Sequence, residues 1–143
     1  MLAEFMIAAA VIGLIVIAST QALLISNRLA AASRVLTGAR AVLQRNIDTA
    51  LTTTFTQASE PAILAVTTGP QVWDDDGGAD NTVQIAVQDN NGIILAKGAL
   101  TRNVVKLANS DNADIRQITF SLNYTYLGRN VTMAMSTIRS RDD

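Results

Sequence analysis

Cysteine and histidine are both missing from this chain of 143 residues. Without cysteine there is no disulfide and no thiolate chemistry, and without histidine the commonest general base and metal ligand are gone. The net charge is only −1, so the chain has no strong electrostatic attraction to nucleic acid. The six aromatic residues form no contiguous path, no serine is accompanied by a base, and no phosphate-binding glycine loop occurs. We therefore expect neither an enzyme nor a specific nucleic-acid-binding protein.

The N-terminal segment is the longest uncharged stretch, since residues 5–27 contain no Asp, Glu, Lys or Arg. About 20 apolar residues in a helix are enough to span the hydrocarbon core of a bilayer. Three polar residues at 19–21 interrupt the apolar run. A cleavable signal peptide is the competing interpretation, but it would have basic residues ahead of a shorter apolar run, where this chain has Glu4. We expect residues 1–27 to form a transmembrane or polymerisation helix.

The helix is predicted to continue beyond the apolar segment, because residues 28–55 keep apolar side chains at spacings of three or four. This stripe consists of Leu29, Ala32, Leu36, Ala39, Val42 or Leu43, Ile47 and Leu51. The β-branched run at 52–54 then weakens helix formation. Together these features predict one helix of about 50 residues, whose second half is amphipathic and packs one face against a globular head.

Residues 56–143 are predicted to form that β-rich head, which gives an α+β fold. Strands are predicted at 83–88, 93–100, 118–126 and 131–136 from alternating apolar and polar residues, with turns at 89–92 and 127–130. The segment 102–108 either extends the second strand or forms a separate one. Residues 59–82 are interrupted by Pro and Gly and are predicted to be a long loop, within which residues 61–66 form a short helix or strand. Sequential strands with tight turns indicate an antiparallel sheet with one face on the helix.

A single carboxylate, Glu4, stands at the head of the apolar segment. An isolated carboxylate in hydrocarbon has to be neutralised, paired or kept at the interface. One interpretation places Glu4 at the bilayer surface, near the positive end of the helix dipole. The other gives Glu4 a cationic partner on another subunit, and we favour it because charged residues in apolar spans are functional by default.

The stretch "LAEFMIAAAVIGLIVIA" resembles the N-terminal helix of the type IV pilins and of the related pseudopilins of type II secretion. In that family a glutamate near the start is followed nine residues later by a glycine, as Glu4 is by Gly13. Two departures stand out. The glutamate is fourth here and usually fifth, and Gln21 replaces a proline that many members carry. A first residue missing from this numbering, methylated in the family, or a different processing site would account for the offset.

The resemblance implies a structural subunit of an extracellular, type IV pilus-like filament at the cell surface. It implies that a prepilin peptidase removes a leader, that the subunit waits in the inner membrane, and that a pilus assembly machinery then extracts it into a helical homo-oligomer. The residues it assigns to assembly are Met1, Glu4, Phe5, Ala9 and Gly13. Adhesion, motility or DNA uptake would be properties of the whole fibre.

Three questions stay open, two within this resemblance and one that sets a different class of protein against it. The chain could be a minor pilin or a pseudopilin instead of the main filament subunit. It could also be a single-pass, membrane-anchored binding domain that never polymerises. Filament helices of the family often lose regular structure after the glycine. Without a proline at Gln21 that melting is in doubt, although Gly13, Ser19 and Thr20 would favour it.

The acidic run "DDDGGAD" is the one cluster with metal-ligand chemistry, and Asp74, Asp76 and Asp80 are its candidate Ca²⁺ ligands. Its spacing is not that of an EF-hand and no glutamate closes it, so we favour a solvated acidic turn. We expect no other cofactor. The triplets at 123–125 and 130–132 match the N-glycosylation acceptor. We interpret both as strand composition, because nothing in the sequence indicates a glycosylating host.

Overall fold

A computed structural model describes residues 2–74, 82–88, 93–108 and 113–142. It confirms the α+β prediction, with one long helix and a five-stranded antiparallel sheet. The elements are α1 (Leu2–Thr52), a short 3₁₀ helix (Ala62–Leu64), and the strands β1 (Gln71–Val72), β2 (Val83–Gln88), β3 (Ile93–Leu107), β4 (Ile115–Tyr126) and β5 (Arg129–Ser140). The chain divides into two compact units, Met1–Arg34 and Val35–Asp143, which we call the helical unit and the sheet unit.

Strand β3 organises the sheet. Along one edge it pairs with β4 from Gly98 to Leu107, and along the other it pairs with β2 and then with β1. Strand β5 pairs with β4 over its whole length. The segment 102–108 therefore extends the strand that begins at Ile93, which settles the alternative left open by the sequence. The turn predicted at 89–92 lies outside the described residues.

The predicted loop at 59–82 contains the 3₁₀ helix, which lies within 61–66 where a short helix or strand was expected, and the two-residue strand β1, which was not predicted. Strand β1 exists through its pairing with β3, where Gln71 lies opposite Arg102. A two-residue strand carries no alternation of its own. Its position depends on a partner about 30 positions away, and a local pattern does not contain that information.

The core of the sheet unit lies between the second half of α1 and the inner face of the sheet. The buried helix residues are Val35, Ala39, Val42, Leu43, Asn46, Ile47 and Ala50. They pack with Phe55 and with alternate residues of the strands, among them Leu100, Ile118, Phe120 and Leu122, which are fully buried. Each large apolar side chain removed from water contributes about 1.5–3 kcal/mol, so this single layer supplies much of the stability.

The predicted apolar stripe of α1 is only partly correct. Leu29, Leu36 and Leu51 are 66%, 38% and 44% exposed, whereas Asn46 is buried. Burial of Asn46 is compensated, because its Nδ2 donates to the Val42 carbonyl at 2.9 Å and its Oδ1 accepts from Trp73 Nε1 at 3.0 Å. The buried face therefore includes a polar residue whose amide is hydrogen-bonded, which the spacing of apolar residues alone does not predict.

One glycine sets how closely α1 approaches the sheet. A Cβ atom on Gly38 would lie 1.9 Å from the backbone oxygen of Ile85 in β2. No side chain fits in that space, so the helix backbone contacts the strand backbone directly.

The C-terminal end of β5 is fastened to the C-terminal end of α1. The Arg139 guanidinium donates to the Ala50 and Leu51 carbonyls, which have no partner within the helix. The Asp142 carboxylate accepts from Arg139 at 2.6 Å and from the Phe55 backbone N–H at 3.0 Å. The Asp142 N–H in turn donates to the Phe55 carbonyl at 2.8 Å. In a chain without cysteine, these hydrogen bonds connect segments that a disulfide could otherwise join.

A second charged cluster lies beside this fastening. Arg116, buried in β4, donates to both oxygens of Asp114, at 2.8 and 3.1 Å, and to Glu60 at 2.6 Å. Its guanidinium lies 4.4 Å from the centroid of the Phe55 ring. The hydrogen bonds from Arg116 hold the pKa of Asp114 below its usual value. The Phe55 N–H and Arg139 do the same for the pKa of Asp142.

We predict that Gly38→Ala destabilises the sheet unit by about 3 kcal/mol, because the added methyl group forces α1 away from β2. Trp73 is the only tryptophan and contacts the helix through Asn46, so its fluorescence during denaturant unfolding in detergent reports on this unit. Gly13→Ala is the matched control, since a Cβ there meets no atom within 4 Å. Equal unfolding midpoints for the two variants would contradict the close approach at Gly38.

We also predict that the sheet unit loses stability below about pH 4. The pKa values of Asp114 and Asp142 are lowered by folding, so their contribution is complete above the pKa of the unfolded carboxyl group. It is lost as the pH falls towards the folded pKa. Denaturation midpoints followed by Trp73 fluorescence between about pH 7 and about pH 2.5 measure this loss. Asp114→Asn should show a shallower acid dependence, and an unchanged slope would show that Asp114 does not contribute.

Candidate assembly surface

The helical unit exposes apolar side chains all round its axis. Every residue from 2 to 30 is exposed, including Leu2, Phe5, Met6, Ile7, Val11, Ile12, Leu14, Ile15, Val16, Ile17, Leu23, Leu24, Ile25 and Leu29. A helix that is apolar on every face requires an apolar environment on every face. Among the described residues, α1 is the one helix long and apolar enough to cross a bilayer. It is compatible with a membrane anchor.

Two of the three polar residues at 19–21 form hydrogen bonds within the helix. Ser19 Oγ donates to the Ile15 carbonyl and Thr20 Oγ1 to the Val16 carbonyl, both at 2.8 Å. These hydroxyls leave the helix regular, and α1 runs without interruption through Gly13 and Gln21. Because their protons are already bonded within the helix, lipid or a neighbouring helix can surround this stretch without leaving a hydroxyl donor unpaired.

Three of the predicted assembly residues share one side of the helix. Phe5, Ala9 and Gly13 follow one another at intervals of four, so they lie along one face. Phe5 is 76% exposed and forms a projection, while Ala9 and Gly13 leave a shallow depression beside it. Nothing in the described chain requires a glycine at 13, because an added Cβ would meet open space.

Glu4 lies in the first turn of α1 and is exposed. Its negative charge is favourable there, since the first turn carries the positive end of the helix dipole. Met1, the remaining predicted assembly residue, lies outside the described residues.

The predicted Ca²⁺ ligands are only partly described. Asp74 is half-buried, and Asp76 and Asp80 lie outside the described residues. Within the described part of the chain, no group of three or more His, Cys, Asp or Glu residues could hold a metal ion. A solvated acidic turn therefore stays the prediction for this run, with calcium binding as its alternative.

The sequence did not indicate a second apolar surface, a groove of about 560 Å³ between α1 and β5. It is lined by Thr37, Arg40, Ala41 and Gln44 of the helix and by Met133 and Met135 of the edge strand. The alternation in β5 predicts that both methionines face inward, and both are half-buried. The groove itself depends on how α1 lies across the sheet, and that does not follow from either segment alone.

No family model, no curated protein and no solved structure matches this chain. A long apolar N-terminal helix that continues into a unit with an antiparallel sheet is consistent with a pilin-like fold.

Proposed function

We propose that this protein is a structural subunit of a type IV pilus-like extracellular filament and that it polymerises through its N-terminal helix. The observation that carries the proposal is the helical unit itself. It exposes apolar side chains on every face and has one carboxylate, Glu4, in its first turn. The resemblance of residues 2–18 to pilin helices supplies the class of protein.

The apolar surface of the helical unit would never meet water in this scheme. Before assembly, residues 5–27 lie in the inner membrane as an anchor. During assembly they exchange lipid for a bundle of identical helices. Both environments are apolar, and the internal hydrogen bonds of Ser19 and Thr20 suit the helix to either one.

Glu4 would determine the register between subunits. Inside a helix bundle its carboxylate is neutralised by the N-terminal amine of a neighbouring subunit. A buried ion pair adds little net stability, but breaking it by removing one partner costs about 3–5 kcal/mol. A subunit that docks out of register pays this cost, and a correctly placed one does not.

Ala9 and Gly13 would allow the helices to approach closely. In a membrane the hydrophobic effect gives no net attraction between helices, since lipid tails are as apolar as leucine. Small residues favour association there because they let the helix backbones pack closely. Phe5 projects beside this depression and is suited to fill the equivalent depression of a neighbour. A prepilin peptidase and an assembly machinery are the further partners that this function implies.

The main rival is a single-pass, membrane-anchored binding domain that does not polymerise. It would use the groove beside Met133 and Met135 for its ligand, and it has no particular need for Glu4. A minor pilin or pseudopilin would share the assembly surface but occur in few copies per fibre. Counting the copies of this chain in isolated filaments distinguishes a minor pilin or a pseudopilin from the main filament subunit.

We predict that Glu4→Ala still inserts into the membrane but forms few filaments, because the partner amine is left unpaired. Sheared surface material is examined by electron microscopy, and the membrane fraction by immunoblot. Asp48→Asn is the matched control, since Asp48 is an exposed helix carboxylate outside the apolar segment. Normal filaments from Glu4→Ala would remove the role assigned to Glu4. Wild-type protein found only as membrane monomer would favour the anchored binding domain.

We further predict a graded effect at Gly13. Gly13→Leu should leave insertion and the unfolding midpoint of the sheet unit unchanged, because the position is open in the single chain. It should block filament formation, since the larger side chain fills the depression that a neighbouring helix enters. Gly13→Ala should have a smaller effect in the same filament assay. Normal filaments from Gly13→Leu would contradict close helix approach at this residue.

A further inference from the structure

The outer face of the sheet is polar but almost without charge. Its rows across β3, β4 and β5 carry mainly hydroxyl and amide side chains, among them Thr101, Asn103, Thr119, Ser121, Asn123, Thr125, Asn130, Thr132 and Ser136. Several of these bond across the strands, such as Thr119 to Ser136 at 2.9 Å. Threonine suits exposed strands, whereas asparagine is depleted in them.

The two N-glycosylation acceptor triplets meet on this face. In each triplet the Asn and the Thr are exposed, while the middle residue, Tyr124 or Val131, points inward. Antiparallel pairing places Asn123 opposite Thr132 and Thr125 opposite Asn130. The two acceptors are thus combined in one exposed cluster on neighbouring rows of the sheet.

Hydrogen bonds cross between the triplets. Thr125 Oγ1 donates to Asn130 Oδ1 at 2.7 Å, and Thr132 Oγ1 donates to Asn123 Oδ1 at 3.3 Å. Both bonds engage the oxygen of the amide and not Nδ2, the atom that bonds to a sugar in an N-linked glycan. The folded sheet therefore does not use either amide nitrogen in these pairings.

The surroundings leave space for a bulky group. A cleft of about 310 Å³ adjoins both asparagines, with Thr82, Lys97 and Ala99 among its lining residues. Ala99 of β3 lies opposite Asn123, and its small side chain leaves space above the sheet beside that asparagine. Asn130 lies on the edge strand β5, close to the turn formed by Leu127 and Gly128. A glycan on either residue would project from the outer face without disturbing the core.

We propose that Asn123 and Asn130 are acceptors for N-linked glycans, which replaces the interpretation of both triplets as strand composition alone. The donor is an oligosaccharide joined through phosphate to a membrane lipid. A bond forms between Asn Nδ2 and C1 of the first sugar, while the bond from C1 to the phosphate oxygen breaks. Its electron pair leaves with the lipid phosphate, and one amide proton passes to a carboxylate of the transferase.

Transfer precedes closure of the sheet. Strand β4 is hydrogen-bonded on both sides, so the triplet at Asn123 has no freedom to enter an enzyme once β3 and β5 are paired with it. A helix in the membrane would hold the unfolded sheet unit close to a lipid-linked donor. The inference requires the sheet unit to lie outside the cytoplasmic membrane, but it does not require polymerisation.

Mass spectrometry of the full chain purified from its native host tests the inference. Trypsin cuts after Arg116, Arg129 and Arg139, so the peptides 117–129 and 130–139 each contain one acceptor. We expect both peptides to carry the same oligosaccharide mass. A glycan on one peptide alone would overturn the assignment of the other asparagine. Unmodified peptides at both positions would overturn the proposal.

Two matched variants test whether the triplet itself is recognised. Thr132→Val removes the hydroxyl but keeps a β-branched strand residue, and Thr132→Ser keeps the hydroxyl. We expect Thr132→Val to lose the glycan on peptide 130–139 and keep the one on 117–129, and Thr132→Ser to keep both. Retention of the Asn130 glycan in Thr132→Val, or its loss in Thr132→Ser, would overturn recognition of this triplet.

Electron microscopy of the same material keeps this inference distinct from the proposed function. Filaments built of unmodified subunits would overturn glycosylation alone. Glycosylated protein that never forms filaments would overturn polymerisation alone.

Discussion

Packing of the second half of α1 against the sheet is the contact on which the sheet unit depends. The helix brings Val35, Ala39 and Leu43 to the inner face of the strands, and these residues are almost completely buried. Without the helix, the inner face of the sheet would be open to water along β3, β4 and β5. The direct backbone contact between Gly38 and Ile85 fixes the distance between the two layers. The helix is therefore part of the core and not an appendage to it.

Hydrogen bonds and ion pairs of charged side chains supplement the apolar packing. Arg139 and Asp142 hold the end of α1 to the end of β5, and Arg116 joins Asp114 and Glu60 beside the Phe55 ring. Burying an arginine costs free energy unless its N–H donors are hydrogen-bonded. Here backbone carbonyls and carboxylates accept those hydrogen bonds. These contacts order the place where α1, the loop that follows it and β5 meet, in a modest core that has no disulfide.

The sequence predicted which segments are helix or strand better than it predicted which segments pair or pack together. Strict alternation from Ile118 to Tyr126 predicted β4, and its buried residues follow that pattern. The apolar run and the spacing after it predicted one helix of about 50 residues, which is confirmed. The buried face of α1 was predicted less well, because the burial of Asn46 depends on Trp73, which lies 27 positions away. Strand β1 was missed for the same reason.

The candidate assembly residues illustrate a different limit. The composition shows that residues 5–27 are uncharged and mostly apolar, and the structure shows that they are exposed, but neither describes what covers them. The role proposed for Glu4 rests on the resemblance to a family and on the cost of placing a carboxylate in an apolar environment. The cross-strand arrangement of the two acceptor triplets was not predicted, since it depends on the register between β4 and β5.

The hydrogen bonds from Arg139 to the end of α1 also bear on the order in which parts of the chain form their contacts during folding. The bond to the Ala50 carbonyl joins residues that are 89 positions apart, and the Phe55 contact with Asp142 spans 87. Contacts over such separations form slowly, because a long loop must close before they contribute. During synthesis the helix is complete long before its terminal carbonyls can find their partner. A newly made chain thus passes through a period in which its long helix is complete and its strands are still accessible to modifying enzymes.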